Sequence, residues 1–465
     1  MKFNLFKKYS EDKKFYKTLF AITLPIVLQN LVASSINVLD TLMIGNVGEK
    51  ELAAVGIANQ FYFLFSLTIF GVAAGCGVFI AQLWGTKDVK NIRSTLGFGL
   101  ISGVLITLIF STAAVFFPKH IMEIFSKDSK VIDLGSEYLI IAAISYIFTA
   151  ISFSYSAALR SVRNTSLPMW ASLGALFMNG LLNYILIFGK FGFAPLGVKG
   201  AAIATLIART TEVLIILIAI YTREHVLKAS LKELLSSSMT MVKTIINIST
   251  PIILNDICFG LATVTYSAIY GRISTEAIAA VQISTTVFSL FTVIIYGLAS
   301  AAVVVVGNEI GAGKTDKGIL YADKITSLSV ELGLFLALVL ASLSAIVPEL
   351  FNVSEIIKKD VFYILLVYSV ITVPRVYTLV VIVGVFRGGG ECVYGGIVQA
   401  TTLWLLGIPM AYFAAHVLHL PISAVVMCCF IEEIIRSAIL YRRYKSYKWI
   451  RNITGSIQSD AQPAL

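Results

Sequence analysis

The chain has 465 residues, 57% of them hydrophobic and only 13% charged, with a formal net charge of +10. A soluble domain carries about 25% charged residues, so this composition excludes a water-soluble globule. The basic residues are spread over short connections and form no soluble basic face, which excludes nucleic acid as a partner.

Taken along the chain, apolar runs of bilayer length, roughly 20 residues, predict an all-α membrane protein with twelve transmembrane helices. They fall at about 18–44, 57–83, 94–117, 131–157, 166–189, 197–221, 245–271, 280–306, 319–347, 360–386, 391–415 and 418–441. The first run is too long for a signal peptide and has no evident cleavage site.

The first half is written again in the second. Residues 25–88 shifted by 226 positions fall on 251–314 without a gap. Pro25 lands on Pro251, Gly45 on Gly271, Ala53-Ala54-Val55 on Ala279-Ala280-Val281, Gly71 on Gly297 and Gly85 on Gly311. Leu159-Arg160 is matched by Phe386-Arg387, now 227 apart. Two copies of six crossings each start on the same side, which predicts two six-helix lobes related by a pseudo-two-fold axis along the membrane normal. The expected organisation is an N-terminal lobe over 1–221, a cytoplasmic inter-lobe linker over 222–244, and a C-terminal lobe with a cytoplasmic tail over 245–465.

With the N-terminus inside, the cytoplasmic segments hold 25 lysines and arginines and the outer loops nine. The inside set starts at Lys2, Lys7 and Lys8 and ends with Arg436 through Arg451. This asymmetry predicts both termini in the cytoplasm.

The five cysteines, Cys76, Cys258, Cys392, Cys428 and Cys429, lie in or beside membrane segments and have no metal or redox spacing. Asn308 through Thr315 looks like a phosphate-binding loop but lacks the first glycine in register, and no strand precedes it. A repeated helix-end loop accounts for it, so no nucleotide is expected. No cofactor beyond a coupling ion is expected.

An ordered set of motifs then resembles the multidrug and toxic compound extrusion (MATE) family. Pro25-Ile-Val-Leu-Gln-Asn, Asp40-Thr-Leu-Met-Ile-Gly45 and Ala53-Ala54-Val55-Gly56 resemble its first helix pair. Ala158 through Thr165 resembles the loop after the fourth helix, and Leu196 through Thr205 the start of the sixth. Gly384 through Glu391 resembles the fourth-helix loop again, in the second lobe. The resemblance spans roughly residues 15–450. It implies efflux of cationic or amphiphilic small molecules in exchange for protons or sodium ions.

Charges inside apolar helices cost about 2.5–3.5 kcal/mol each, so each is a functional candidate. Asp40 shares a helix face with Gln29 and Ala33. Its repeat counterpart is Tyr266, so the repeat itself does not require an acid there. By resemblance Asp40 matches the cation-coupling acid of the N-terminal lobe, with Asn179, Asn183 and Thr205 completing its polar site. Prokaryotic relatives carry an acid where this chain has Asn183. One carboxylate suits one proton, or one monovalent cation such as Na+ at Asp40 caged by neutral oxygens, with the proton favoured.

Gln29 and Asn37 are candidates for the substrate cavity, and Pro25 for a hinge. In the second lobe Asp256 and Arg375 are expected to pair, because a lone charge there is expensive. Arg209 is expected to pair with Glu212, and Arg436 with Glu432 and Glu433. The expectation is a monomeric secondary exporter working by alternating access between its lobes, and not an enzyme: no zinc or nucleophile motif is present. The rivals are a lipid or lipid-linked saccharide flippase of the same superfamily, a membrane-embedded enzyme and a passive channel.

Overall fold

The computed structural model describes residues 13–351, 353–429 and 431–455. Lys2, Lys7 and Lys8 lie outside the described residues, as does the side chain of Cys429. Without water to bond to, a chain in hydrocarbon must satisfy its backbone internally, and these apolar runs do so as helices.

The helices are α1 (Lys13–Gly45), α2 (Glu49–Thr86), α3 (Val89–Phe116), α4 (Ser129–Ser161), α5 (Ser166–Phe188) and α6 (Val198–Thr222). Then come α7 (Met239–Gly271), α8 (Thr275–Gly311), α9 (Thr315–Ser344), α10 (Glu355–Phe386) and α11 (Val393–His416). These eleven are long and apolar enough to cross a membrane. The twelfth run, α12, is described in two parts, Ile422–Cys429 and Ile431–Lys445. The fold is therefore all-α, with twelve membrane helices in two six-helix lobes. All twelve overlap the predicted runs.

The chain forms two compact units, one reaching to Ser249 and the other starting at Thr250, a division that falls inside α7. In the first unit, α2 and α4 supply the aromatic centre of the core. The rings of Phe65 and Tyr146 stack there with centroids 4.5 Å apart. Small residues bring helices close: the hydroxyl of Ser161 on α4 donates to the backbone oxygen of Gly77 on α2 at 2.8 Å. Large apolar side chains such as Ile109 and Phe177 stay exposed, as a lipid solvent permits.

The repeat is visible in the backbone. Lys87 ends α2 with φ +61, and its counterpart Gly313, with φ +74, ends α8. Arg163 and Gly390 match in the same way after α4 and α10. The loop that mimics a phosphate-binding motif is thus the turn between α8 and α9. Asp128 caps α4 through the backbone N–H of Lys130 at 2.9 Å. Lys50, 2.8 Å away, together with this cap holds the Asp128 carboxyl below the usual carboxylate range.

The segment after α6 folds back on the first unit. Arg93 on α3 donates to the backbone oxygen of Val226 at 2.9 Å and pairs with Glu233. Glu233 sits in a short helix, Leu231–Leu234, closed by a capping box with Ser230. The backbone N–H of Ser230 and then the Arg93 guanidinium hold the Glu233 carboxyl down to about 2. In the second unit the tail docks in a comparable place. Trp449 is fully buried, stacked on Tyr444 and Phe386, and Arg451 pairs with Glu391 at 3.0 Å.

Candidate functional site

In the first unit α1 carries Pro25 inside the helix, Gln29 one turn later and Asp40 in its C-terminal third. Asp40 and Gln29 are buried, whereas Asn37 is exposed. On α5, Asn179 and Asn183 lie one turn apart and are completely buried. The Asn183 amide donates to the Asp40 carboxylate and to the side-chain oxygen of Asn179, the latter at 3.1 Å. The structure thus brings together three of the four residues of the expected site, Asp40, Asn179 and Asn183.

The fourth, Thr205 on α6, is half-buried, and its hydroxyl oxygen has no protein hydrogen-bond partner. The same holds for Asn179 Nδ2, Asn183 Oδ1 and Gln29 Oε1. Leaving a buried polar atom unbonded costs about 1–3 kcal/mol; Asn179 and Thr205 have Asp40 and Tyr138 as their nearest polar neighbours, while Gln29 lies about three helical turns from Asp40. Tyr138 on α4 and Arg209 on α6 lie within electrostatic reach of the Asp40 carboxyl.

A second polar chain runs beside this one. Arg209 binds Glu212 on the same helix at 3.0 Å, as its three-residue spacing predicts. The other Glu212 oxygen accepts from the Ser172 hydroxyl on α5 at 2.8 Å. Gln29 of α1 donates to Ser172 at 3.4 Å. Ser172 was not legible as part of a site, because a lone serine in an apolar helix carries no signal.

The second unit corrects one expectation. Asp256 pairs with Arg387 at 3.6 Å, and Arg375 lies 3.6 Å from Glu433; the expected Asp256–Arg375 pair gives way to these two. The reason lies in α10, which turns π-helical over Val380–Phe386. This carries the helix on to Arg387, which is buried on it and not exposed in a loop. Asn255 also donates to Asp256 at 3.3 Å.

Arg436 holds both Glu432, at 2.5 Å, and Glu433, at 3.2 Å, as expected. Thr402 and Thr378, each just before a π-helical turn, bond into this cluster. The two units are therefore chemically unlike. The position of Asp40 is taken by Tyr266, whose hydroxyl lies against Gly407 close to the Glu432 carboxyl.

Among the described residues no group of three His, Cys, Asp or Glu side chains is arranged to hold a metal ion. A cleft of about 410 Å³ between α7 and α11, lined by Thr265, Arg272, Tyr412 and His416, contains none of the expected residues.

Comparison with known proteins gives a consistent result. A family model described as MatE matches residues 25–185 and again 251–413, following the internal repeat. The chain is 26% identical over 461 residues to the uncharacterized transporter YisQ of Bacillus subtilis, covering 97% of this chain and 99% of that one. It is also 26% identical over 457 residues to the probable multidrug resistance protein NorM of Thermotoga maritima, with 97% of each covered. Among solved structures, a crystal structure of MATE in the bent conformation superposes with TM-score 0.85 at 19% identity, covering 96% of this chain and 97% of that chain. One of MATE in complex with MaL6 gives TM-score 0.82 at 21% identity, over 92% of this chain and 95% of the other. At these identities the structural likeness speaks for the fold alone.

Proposed function

The chain belongs to the MatE family, a family of transporters, and from that premise we propose that it exports cationic or amphiphilic small molecules by cation antiport. The observation that carries this reading is the buried Asp40 carboxylate bound to Asn183, set among polar atoms that no protein group satisfies. A buried acid with spare neutral donors and acceptors can take either a proton or a cationic cargo, one at a time. That exclusivity is what antiport needs. The relatives named for multidrug resistance support the cargo class.

The proton is favoured over sodium as the coupling ion. The site offers one carboxylate, and Arg209 already places a positive charge within its electrostatic reach. Asn179, Asn183 and Thr205 form the shell of the ion site, with Gln29 and Asn37 as contacts for cargo. Pro25 removes a helix hydrogen bond and lets α1 bend as the site opens alternately to each side of a plasma membrane, with both termini in the cytoplasm. Asp256 with Arg387, and Arg375 with Glu433, hold the second lobe together.

The test is transport of an ethidium-type dye in proteoliposomes under an imposed proton or sodium gradient, for the parent protein and for Asp40→Asn. The expected result is proton-driven transport that the substitution abolishes. Sodium-driven transport that survives Asp40→Asn overturns the site, and no dye movement by folded protein under either gradient overturns the cargo class.

A further inference from the structure

The cleft between α7 and α11 lies where both helices end, α7 at Gly271 and α11 at His416. Deeper in the second unit the two helices touch. The Trp404 indole donates to the backbone oxygen of Cys258 at 3.3 Å, and Gly407 leaves room for the Tyr266 hydroxyl. α11 then completes its π-helical turn, Leu403–Gly407, and meets Pro409, which has no N–H to donate back along the helix. Past this point the helices part. The gap measures about 410 Å³, within the range of small-molecule sites, about 300–1,000 Å³. At the repeat spacing the first unit has Asn46 for Arg272, Ile185 for Tyr412 and Gly189 for His416, and there Leu39 of α1 packs against Gly180 of α5. The cleft and its basic end therefore belong to the second unit and are no by-product of the duplication.

The cleft is graded along its length. Thr265, Ala268 and Arg272 share one face at the end of α7, and Pro409, Tyr412 and His416 do the same on α11. The Arg272 side chain is exposed and makes no hydrogen bond or ion pair among the described residues. His416 Nε2 is shut off from water, yet it too has no hydrogen-bond partner among them. The His416 ring packs on Tyr412 with centroids 4.9 Å apart. None of the residues lining the cleft is acidic. Away from the basic end the flanking surface is apolar, with Val264 of α7 67% exposed and Leu405 of α11 69% exposed. We propose that this cleft seats an anionic glycerophospholipid, its phosphate on Arg272 and His416 and an acyl chain laid along α7 and α11. A guanidinium fork matches phosphate oxygens, and His416 donates through Nε2. A tyrosine such as Tyr412 suits the level of the headgroups. Charge and shape separate the candidates. A zwitterionic headgroup brings an ammonium that no acid in the cleft meets, and a free phosphate leaves the apolar flank uncovered. A basic recess between membrane helices is a setting in which anionic headgroups are held.

The site lies in the second unit and depends neither on Asp40 nor on the cargo. The test uses the full chain, purified and delipidated in detergent. Native mass spectrometry follows binding of palmitoyl-oleoyl phosphatidylglycerol, of the matching phosphatidylcholine and of glycerol 3-phosphate. The proteins compared are the parent, Arg272→Gln, Ala268→Trp and Lys448→Gln. Ala268→Trp fills the cleft and keeps its charge, whereas Lys448→Gln removes an exposed charge elsewhere. The thermal midpoint without lipid shows that each variant is folded. The expected result is that the parent binds one phosphatidylglycerol at least tenfold more tightly than phosphatidylcholine. Arg272→Gln and Ala268→Trp should lose that preference, and Lys448→Gln should keep it. Phosphatidylglycerol should also raise the thermal midpoint of the parent and of Lys448→Gln but not of the two cleft variants, since a ligand that binds only the folded state stabilises it. Equal binding of the two lipids by the parent overturns the proposal. A preference that survives Ala268→Trp places the lipid outside the cleft and overturns it as well. Displacement of the lipid by an equal concentration of glycerol 3-phosphate makes the occupant a free phosphate and rejects the lipid.

Discussion

Asn164, in the loop after α4, lies with its side-chain amide 3.1 Å from the Nε2 of His225, in the segment that follows α6. Residues 226 or 227 positions later repeat the contact in the second unit, where Glu391 meets Arg451 at 3.0 Å. The same clasp is thus built twice, once from a charged pair and once from a neutral one. In the neutral clasp the backbone N–H of Leu227 donates to His225 Nδ1 at 3.2 Å. The other ring nitrogen, Nε2, faces the side-chain Nδ2 of Asn164.

Protonating His225 puts a hydrogen on Nδ1 and breaks the bond from Leu227. Burial pushes the His225 pKa down, so the unfolded chain binds the proton more readily than the folded one. The clasp then contributes its full stability above about pH 6.5, the ordinary histidine value, and loses it as pH falls below that. Corrected for intrinsic exchange, hydrogen exchange of residues 223–238 should quicken between pH 7 and pH 5 in the parent. In His225→Gln, the rates corrected for intrinsic exchange should be flat over that range; an equal pH response in the variant would remove histidine as the cause.

Gly97 on α3 is the seat for the short helix that follows His225. A Cβ there would stand 2.5–2.6 Å from the backbone carbons of Leu234, and backbone cannot rotate away as a side chain can. Gly97→Ala should cost about 1–3 kcal/mol, the usual range for overpacking, and expose the linker. Limited trypsinolysis at Lys232 is the measurement, with faster cleavage in the variant.

The Asp256–Arg387 pair predicts a specific pattern of rescue. Either Asp256→Asn or Arg387→Gln leaves a mostly buried partner uncompensated, at about 3–5 kcal/mol for a fully buried pair and less here because Asp256 is partly exposed. The double variant should recover most of the thermal stability in detergent. Pairing Asp256→Asn with Arg375→Gln should recover none, since Arg375 answers to Glu433.

Asn183 supplies a hydrogen bond to Asp40 and another to Asn179. Asn183→Ala should lower stability by about 1–3 kcal/mol, the cost of leaving buried partners unbonded. Proton-driven dye transport should fall at least tenfold. A variant that is destabilised but transports normally would make Asn183 a packing residue only.

Contacts within one helix were legible at once. Arg209–Glu212 and the Arg436 cluster follow from spacings of three and four residues, because a helix of 3.6 residues per turn places such neighbours side by side. Asn179 with Asn183 followed for the same reason, and the likeness to known transporters put Asp40 opposite them. Ser172 was silent, and Arg387 was placed in a loop.

By itself the sequence determined the solvent, the helices, the duplication and the asymmetry between Asp40 and Tyr266, since each depends on composition, on apolar run length or on a repeat with fixed spacing. Only the tertiary structure decided which charges meet across helices. That choice depends on how each helix is rotated, and a π-helical turn such as Val380–Phe386 accommodates an extra residue and shifts every later side chain by about 100°. The predicted run stops at 386 and leaves Arg387 in a loop, so the partner of Asp256 appears only once the chain is folded.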